Sequence, residues 1–220
     1  MTDADFLNPD FVTSTRVFYD AIAEDYDERF RDALAEMPLE RAMIGVFAEL
    51  VGRGGAVADL GCGPGRVTGL LASLGLDVFG LDLSSSMLRI ARRENPDLLF
   101  VQGSMLKLDM ADESLAGAVS WYSSIHTPVD ELPSLFREFL RVLTPGGHLL
   151  MGFQVGDEPK RHERPWGHDV TLDFQRRQPD RIAGLLTAAG FEIVSQTVRA
   201  AQSEDQVPQA FLIARKPSTD

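Results

Sequence analysis

Three glycines at alternate positions, Gly61, Gly63 and Gly65, separate the apolar run Val57-Ala58-Asp59-Leu60 from a helix-like run over residues 67–74. Few local patterns restrict a chain more. Glycine lacks a Cβ, so its backbone enters φ > 0 and leaves room for a ligand against the main chain. The helix N-terminus just beyond offers unpaired N–H groups and a partial positive charge. A second apolar run, Val78-Phe79-Gly80-Leu81, ends at Asp82, 17 positions after Gly65. A carboxylate about 20 residues past such a loop is where a nucleotide-type ligand presents its ribose hydroxyls. Loop and acid together ask for a strand, a tight loop, a helix and a second, parallel strand.

The rest of the chain supplies the surroundings of that unit. Strands are expected at 56–60, 77–81, 98–101, 115–121 and 147–154, with helices at 66–74, 84–94 and 131–143. Such alternation predicts a doubly wound, mostly parallel α/β sheet with helices on both faces. The rhythm breaks near the end. After a helix near 179–189, strands at 191–198 and 209–215 follow with no helix between them, which favours an antiparallel hairpin at the sheet edge. Before the alternation, Phe18, Ile22 and Tyr26 recur every four positions, as do Tyr19, Ala23 and Asp27, and a second helix is expected over about 39–51. The expected organisation is one domain over 1–220: a helical cap at 1–52 and a core at 53–220 carrying an irregular polar insert near 155–169.

Charge and cysteine usage narrow the function classes. A net charge of −12 disfavours nucleic-acid and anionic-membrane partners, which want clustered cations. The lone cysteine, Cys62, excludes an internal disulfide and fits a reducing cytoplasm. Set between glycines, it has no metal-ligand spacing and reads as a small filler of the loop, so no metal site is expected. The acidic start, Met1-Thr2-Asp3-Ala4-Asp5, lacks the basic and apolar regions of a signal peptide. No apolar run approaches the ~20 residues of a membrane span.

With these residues in view, the chain resembles a class I S-adenosylmethionine-dependent methyltransferase, Rossmann-like and of the small-molecule type. The first glycine-rich motif is matched by Ala58-Asp59-Leu60-Gly61-Cys62-Gly63-Pro64-Gly65 and the second by Gly80-Leu81-Asp82-Leu83-Ser84. Leu143-Thr144-Pro145-Gly146-Gly147 resembles the family's turn into strand five, and Ala189-Gly190-Phe191 its entry to a late strand. The resemblance implies a seven-stranded sheet of order 3-2-1-4-5-7-6 with strand seven antiparallel. It also implies S-adenosylmethionine as cofactor, S-adenosylhomocysteine as product and a small-molecule acceptor. Gly61, Cys62, Gly63 and Gly65 would bracket the methionine and ribose end, Asp59 would face the ligand amino group, Asp82 the ribose hydroxyls, and Leu83 the adenine. Where the family often has Gly-Asp after strand three, this chain has Gly103-Ser104-Met105, so Ser104 and Met105 take the adenine-side positions. The cap would cover the site, with Tyr26 toward the cofactor and Tyr19 toward the acceptor, or both tyrosines would simply anchor their helix.

A dinucleotide dehydrogenase shares the physics of the loop, yet Arg66 stands where that fingerprint would continue toward its third glycine. No Tyr-x-x-x-Lys pair exists either, because Gly103, Gly156 and Leu212 precede the three lysines by four. Methyl transfer needs an aligned acceptor, and a base where the acceptor carries a proton. Tyr122 and His126, beyond strand four, are the candidate bases, with a loop-structuring role for His126 as the alternative. The segment lacks the Asn/Asp-Pro-Pro-aromatic sequence expected for nucleobase amino groups. Lys160, Arg161, His162, Arg164, Trp166 and His168 form either an acceptor-binding cluster or a solvated mixed-charge loop. Arg176 and Arg177 share that ambiguity, and His148 reads as structural. A non-catalytic cofactor-binding or regulatory protein is the rival reading.

Overall fold

A computed structural model describes residues 10–202 and 207–218. The acidic Met1 to Asp5 stretch and the start of the expected cap lie outside the described residues. Helix α1 (Asp10–Phe30) buries Val12, Thr15, Phe18, Ile22 and Ala23 along one stripe, the mark of an amphipathic helix. Helix α2 (Pro38–Val51) opens on a proline, where the missing N–H has no helical partner to lose, and ends at Gly52 with φ 67°.

The alternating segment folds as β1 (Ala56–Leu60), α3 (Arg66–Ser73), β2 (Asp77–Asp82), α4 (Ser85–Glu94), β3 (Leu99–Gln102), β4 (Leu115–Trp121), α5 (Leu132–Val142) and β5 (Leu143–Gln154). Then come β6 (Lys160–Glu163), β7 (Thr171–Phe174), α6 (Pro179–Ala189), β8 (Glu192–Arg199) and β9 (Gln209–Arg215). Seven strands form one sheet in the order β3-β2-β1-β4-β5-β9-β8, and β6 pairs only with β7. With that small hairpin set aside, this is the expected 3-2-1-4-5-7-6 sheet. The last strand, β9, runs antiparallel to both β5 and β8. β9 is buried on both faces from Gln209 to Ala214, whereas the edge strand β8 alternates exposed and half-buried residues.

Two structural details differ from expectation. Strand β5 starts four residues early, at Leu143, so the Pro145-Gly146-Gly147 turn is an irregularity inside a strand. The insert near 155–169 is not irregular throughout. It contains β6 and continues to Phe174, because Lys160 to Glu163 pair in register with Phe174 to Thr171.

Successive strand residues feed opposite cores, as the two-residue period requires. Ala58, Ala118, Leu149 and Leu212 meet Phe136 and Phe139 of α5, together with Leu186 of α6. Val57, Val119, Leu150 and Ile213 meet Ile44 and Phe47 of α2, together with Leu71 of α3. Each fully buried Phe or Leu is worth about 1.5–3 kcal/mol of transfer free energy, so both faces hold the sheet. The parallel strands therefore end together, and the loops after β1, β2 and β4 converge at one edge.

Helix α1 lies across that edge, fixed from two sides. Ala23 packs with Met87 and Ile90 of α4, while Phe18 and Ile22 pack with Leu172 of β7. The start of α4 is stitched to it as well. Ser84 Oγ accepts from the Met87 N–H at 3.0 Å and donates to Asp20 Oδ1 of α1 at 2.7 Å. Asp20 also accepts the Ser86 N–H at 3.1 Å, so α1 helps cap α4.

Candidate active site

Beneath α1, where the loops converge, lies a cavity of about 800 Å³, its open mouth included. Its floor is the loop after β1. The Gly61 and Cys62 N–H groups both donate to the Leu81 carbonyl, at 2.7 and 3.0 Å, which seats the loop on β2. Gly61 sits at φ 79°, and a Cβ there would lie 2.3 Å from Ser123 Cβ. Only glycine lets these two loops touch. Gly63, at φ 54°, has open space in the Cβ direction. Gly65 does not line the cavity. It caps α3 and packs against Phe100 and Asn95.

Two carboxylates line the cavity. Asp82 Oδ2 accepts the Gly63 N–H at 2.8 Å and Oδ1 accepts the Ser84 N–H at 2.8 Å, so this one side chain aligns both loops. Burial raises its pKa above the usual carboxylate value, against those stabilising N–H bonds. Asp59 is more extreme. Its Oδ2 accepts from Thr68 Oγ1 at 2.6 Å while Oδ1 has no partner, and burial pushes its pKa up to about 7. A buried carboxyl oxygen with nothing to accept from suits a cationic donor group. Cys62 lines the cavity too, and burial raises its thiol well above the ordinary value, consistent with a filler role.

Leu83, Gly103 and Met105 form one end of the cavity. Ser104 does not. Its hydroxyl accepts the Leu106 N–H at 3.3 Å within its own turn and keeps its own proton to donate. At the other end stand Tyr19 and Tyr26 of α1, with Tyr122 and His126 from beyond β4. Tyr19 Oη lies 2.9 Å from His126 Nε2. Burial holds the tyrosine pKa well above its usual value, with Tyr26 and Asp82 adding to it. Burial also pushes His126 down to about 3, with the Arg177 and His162 charges acting in the same direction. The imidazole is therefore neutral, and its tautomer sets which of the two groups donates across this contact. The neutral ring has the lone pair that a base requires, yet a pKa this far below neutrality makes it a weak one. Tyr122 sits at φ 52°, a strained value that turns its ring into the cavity mouth beside Trp121.

Sequence reasoning missed Arg66, read above only as not being a glycine. As the first residue of α3 its guanidinium lies 5.2 Å over the Tyr26 ring, donates to Tyr26 Oη at 3.2 Å and reaches the Phe30 carbonyl. Thr15, Arg16 and Met87 also line the cavity. Their one available signal was membership of helices whose other faces are plainly core.

A second chamber of about 1210 Å³, its open mouth included, adjoins the first and shares Tyr19, Tyr26, Arg66 and Tyr122 with it. The β6–β7 hairpin is its outer wall, and strand alternation splits the charged cluster. Lys160 and His162 face the chamber, while Arg161 turns outward to Glu163 and Asp173 at 3.0 and 3.2 Å. Arg164 pairs outside with Asp169 at 3.8 Å. His168 Nε2 meets Asp25 of α1 at 2.6 Å, and Trp166 rests against Phe30 with centroids 6.3 Å apart, so the hairpin is docked on the cap. The solvated-loop expectation therefore holds only for its outward residues. Buried Arg177 donates to the Ser124 carbonyl at 3.0 Å and to that of Thr127, holding the loop after β4, and burial lowers its pKa to about 10. His148 sits on β5 opposite Arg215 and lines neither chamber.

Comparison with known proteins agrees with this geometry. Residues 57–147 match the family model described as a methyltransferase domain. The demethylmenaquinone methyltransferase of Paenarthrobacter aurescens is 34% identical over 195 residues, covering 87% of this chain and 74% of that protein. A trans-aconitate 2-methyltransferase of Azoarcus is 32% identical over 171 residues, covering 76% of this chain and 58% of its own. The chain spans only about half the length of some other relatives, 55% for the Renibacterium salmoninarum demethylmenaquinone methyltransferase. In fold it is similar to the 1,6-didemethyltoxoflavin-N1-methyltransferase of Burkholderia thailandensis, solved with 1,6-didemethyltoxoflavin and S-adenosylhomocysteine bound. That superposition has a TM-score of 0.73 at 19% identity, covering 99% of this chain and 92% of the other.

Proposed function

The chain belongs to the class I S-adenosylmethionine-dependent methyltransferases, and from that premise we propose that it methylates a small-molecule acceptor. The reading rests on Asp82, which closes the glycine loop against β2 and lines the cavity where ribose hydroxyls would be received. The residues present suit the cofactor. Asp59, with an unpartnered oxygen, would take an ammonium; Gly63 leaves space above the backbone; Leu83 and Met105 offer an apolar end; Tyr26 closes the cavity from above. When bound, S-adenosylmethionine supplies an already activated methyl group on a sulfonium.

What remains for the protein is placement and proton handling. Holding an acceptor in line can supply roughly 7–11 kcal/mol at best, without chemical help from any side chain. With His126 in the tautomer whose Nε2 accepts the Tyr19 O–H hydrogen bond, the tyrosine oxygen keeps lone pairs for an N–H or O–H of the acceptor. His126 thus acts as a positioning residue and Tyr19 as the contact. Helix α1 and the docked hairpin cover part of the site and leave its mouth open to solvent, a path for the released proton.

Two relatives are named for demethylmenaquinone and trans-aconitate, which supports a small-molecule acceptor and leaves its class to the chamber walls. The net charge of −12 supports the exclusion of nucleic acid, and the single cysteine supports a reducing, cytoplasmic setting. Among the described residues no helix is long and apolar enough to cross a membrane.

Calorimetric titration of S-adenosylmethionine and S-adenosylhomocysteine into wild type, Asp82→Asn and Asp82→Ala tests the reading, with NAD as control. Micromolar binding should fall about 100-fold in Asp82→Ala, the scale of two lost hydrogen bonds to a charged group. Folded wild type that ignores both ligands, or prefers NAD, would end the proposal.

A further inference from the structure

We infer that the second chamber admits a planar aromatic acceptor, neutral or anionic, oriented by a ring N–H or O–H that donates to the side-chain oxygen of Gln154. This deepens the methyl-transfer reading and rests on it.

The walls supply the first argument. Phe18 of α1, Phe30 at its end, Trp121 of β4, Trp166 of the hairpin turn and Phe174 of β7 all face one space. In a core such rings would interdigitate and leave no void. Here Phe18 meets Phe174 edge-on at 5.9 Å, Trp166 is tilted against Phe30 at 6.3 Å, Trp121 is stacked on Phe211 on one side, and the rings border a large opening. Flat rings entering that space gain offset and edge contacts on several sides.

Charge supplies the second. Lys160 and Arg66 line the chamber, and no carboxylate lies among its described lining residues. His162 adds no charge near neutrality, because burial and the neighbouring Lys160 and Arg176 lower its pKa. A cationic ligand would lose its water among like charges with no counter-ion. Neutral and anionic rings escape that penalty.

Gln154 supplies the third. It ends β5 at the chamber floor, and its side-chain Oε1 is buried without a hydrogen-bond partner. Buried acceptors are almost always satisfied, so a donor on the ligand completes the site. Because the chambers share Tyr19, Tyr26 and Tyr122, an aromatic acceptor held here abuts the cofactor-side cavity at the Tyr19–His126 pair. In the transfer, an acceptor heteroatom lone pair forms the bond to the methyl carbon. The electrons of the broken S–CH₃ bond stay on sulfur, giving S-adenosylhomocysteine, and the heteroatom proton passes to solvent.

The full chain, with and without S-adenosylhomocysteine, is titrated with three probes: 2,3-dihydroxynaphthalene, 2-(1-naphthyl)ethylammonium and trans-aconitate. The diol should bind, the ammonium at least about tenfold more weakly, and the aliphatic tricarboxylate more weakly than the diol. Gln154→Leu should weaken the diol about tenfold, the scale of one buried hydrogen bond, with S-adenosylhomocysteine affinity held within about twofold. Gln154→Glu, which places a negative charge in the same position, should reverse the penalty on the ammonium. Tighter binding of trans-aconitate than of the diol, or equal diol affinity in Gln154→Leu and wild type, overturns the inference. S-adenosylhomocysteine binding with no diol binding refutes the aromatic chamber alone. Diol binding with no S-adenosylhomocysteine binding supports the chamber and refutes the cofactor reading.

Discussion

The two chambers lie side by side and are built in opposite ways. The cofactor-side cavity is made mostly of short segments at strand ends: Asp59, Gly61 to Pro64, Arg66 and Val67, Leu81 to Ser84, Gly103 and Met105. Its loops are aligned through their backbone N–H groups by one carboxylate, Asp82. The neighbouring chamber draws single side chains from α1, the turn after it, β4, β5 and the β6–β7 hairpin, and its surface is chiefly aromatic. A ligand common to a whole family can be held by main chain, whose geometry the sheet dictates. A ligand that varies between relatives needs side chains, which can change without disturbing the sheet.

The sharpest test of this contrast is Gly61→Ala. With φ at 79° and Ser123 Cβ 2.3 Å from the new methyl, backbone strain and overlap should cost about 4 kcal/mol. Urea unfolding and cofactor titration should both register the loss. Trp166→Ala, in the other chamber and 37% exposed, should cost under about 1 kcal/mol of stability. Equal costs would erase the distinction between a backbone-built and a side-chain-built site.

Tyr19→Phe stands at the boundary and should have the next largest effect. Turnover of any accepted substrate is expected to fall about 10–100-fold, with S-adenosylmethionine affinity within about twofold, because the hydroxyl serves the acceptor. Steady-state kinetics beside calorimetry separate the two. An affinity loss matching the loss of turnover would assign Tyr19 to the cofactor.

The smallest effect is in proton uptake. Asp59 has a folded pKa near 7, above the ordinary value of about 3.9 expected when unfolded. The folded state therefore holds a proton that the unfolded state releases, and the stability from Asp59 is complete below about pH 4 and lost as pH rises through 7. His126, lowered to about 3 in the folded state, slopes the other way: its contribution is present above about pH 6.5 and lost as pH falls through 3. Asp59→Asn should flatten the first slope and leave the second. Bringing an ammonium to Asp59 at pH 6.5 should expel a fraction of a proton, read from calorimetry in buffers of different ionisation enthalpy. Proton uptake, or the same release from Asp59→Asn, would show that Asp59 does not meet the cationic end of the ligand.

What could be read from the chain follows the same division. The glycine loop, Asp82 and the late hairpin were legible, because each depends on residues close in sequence or on the alternation of strand and helix; the strand order came with the family resemblance. The local turn of Ser104 was not legible: its hydroxyl accepts the Leu106 N–H, a contact that no sequence pattern announced. His126 lines the cavity, yet its protonation depends on burial under α1 and on Arg177, both remote in sequence. The hairpin at 160–174 was missed because its polar, charged strands lack an apolar alternation. It is held by docking His168 and Trp166 on the cap.

The sequence by itself therefore determined the sheet, the loop and the carboxylate that faces it, since positive φ at glycine and strand periodicity are local consequences of residue type. Tertiary structure alone decided which aromatic rings share a chamber, which histidine is neutral and which arginine is committed to carbonyls. Those properties arise from distance and desolvation between segments far apart in the chain, and neither is written in any one of them.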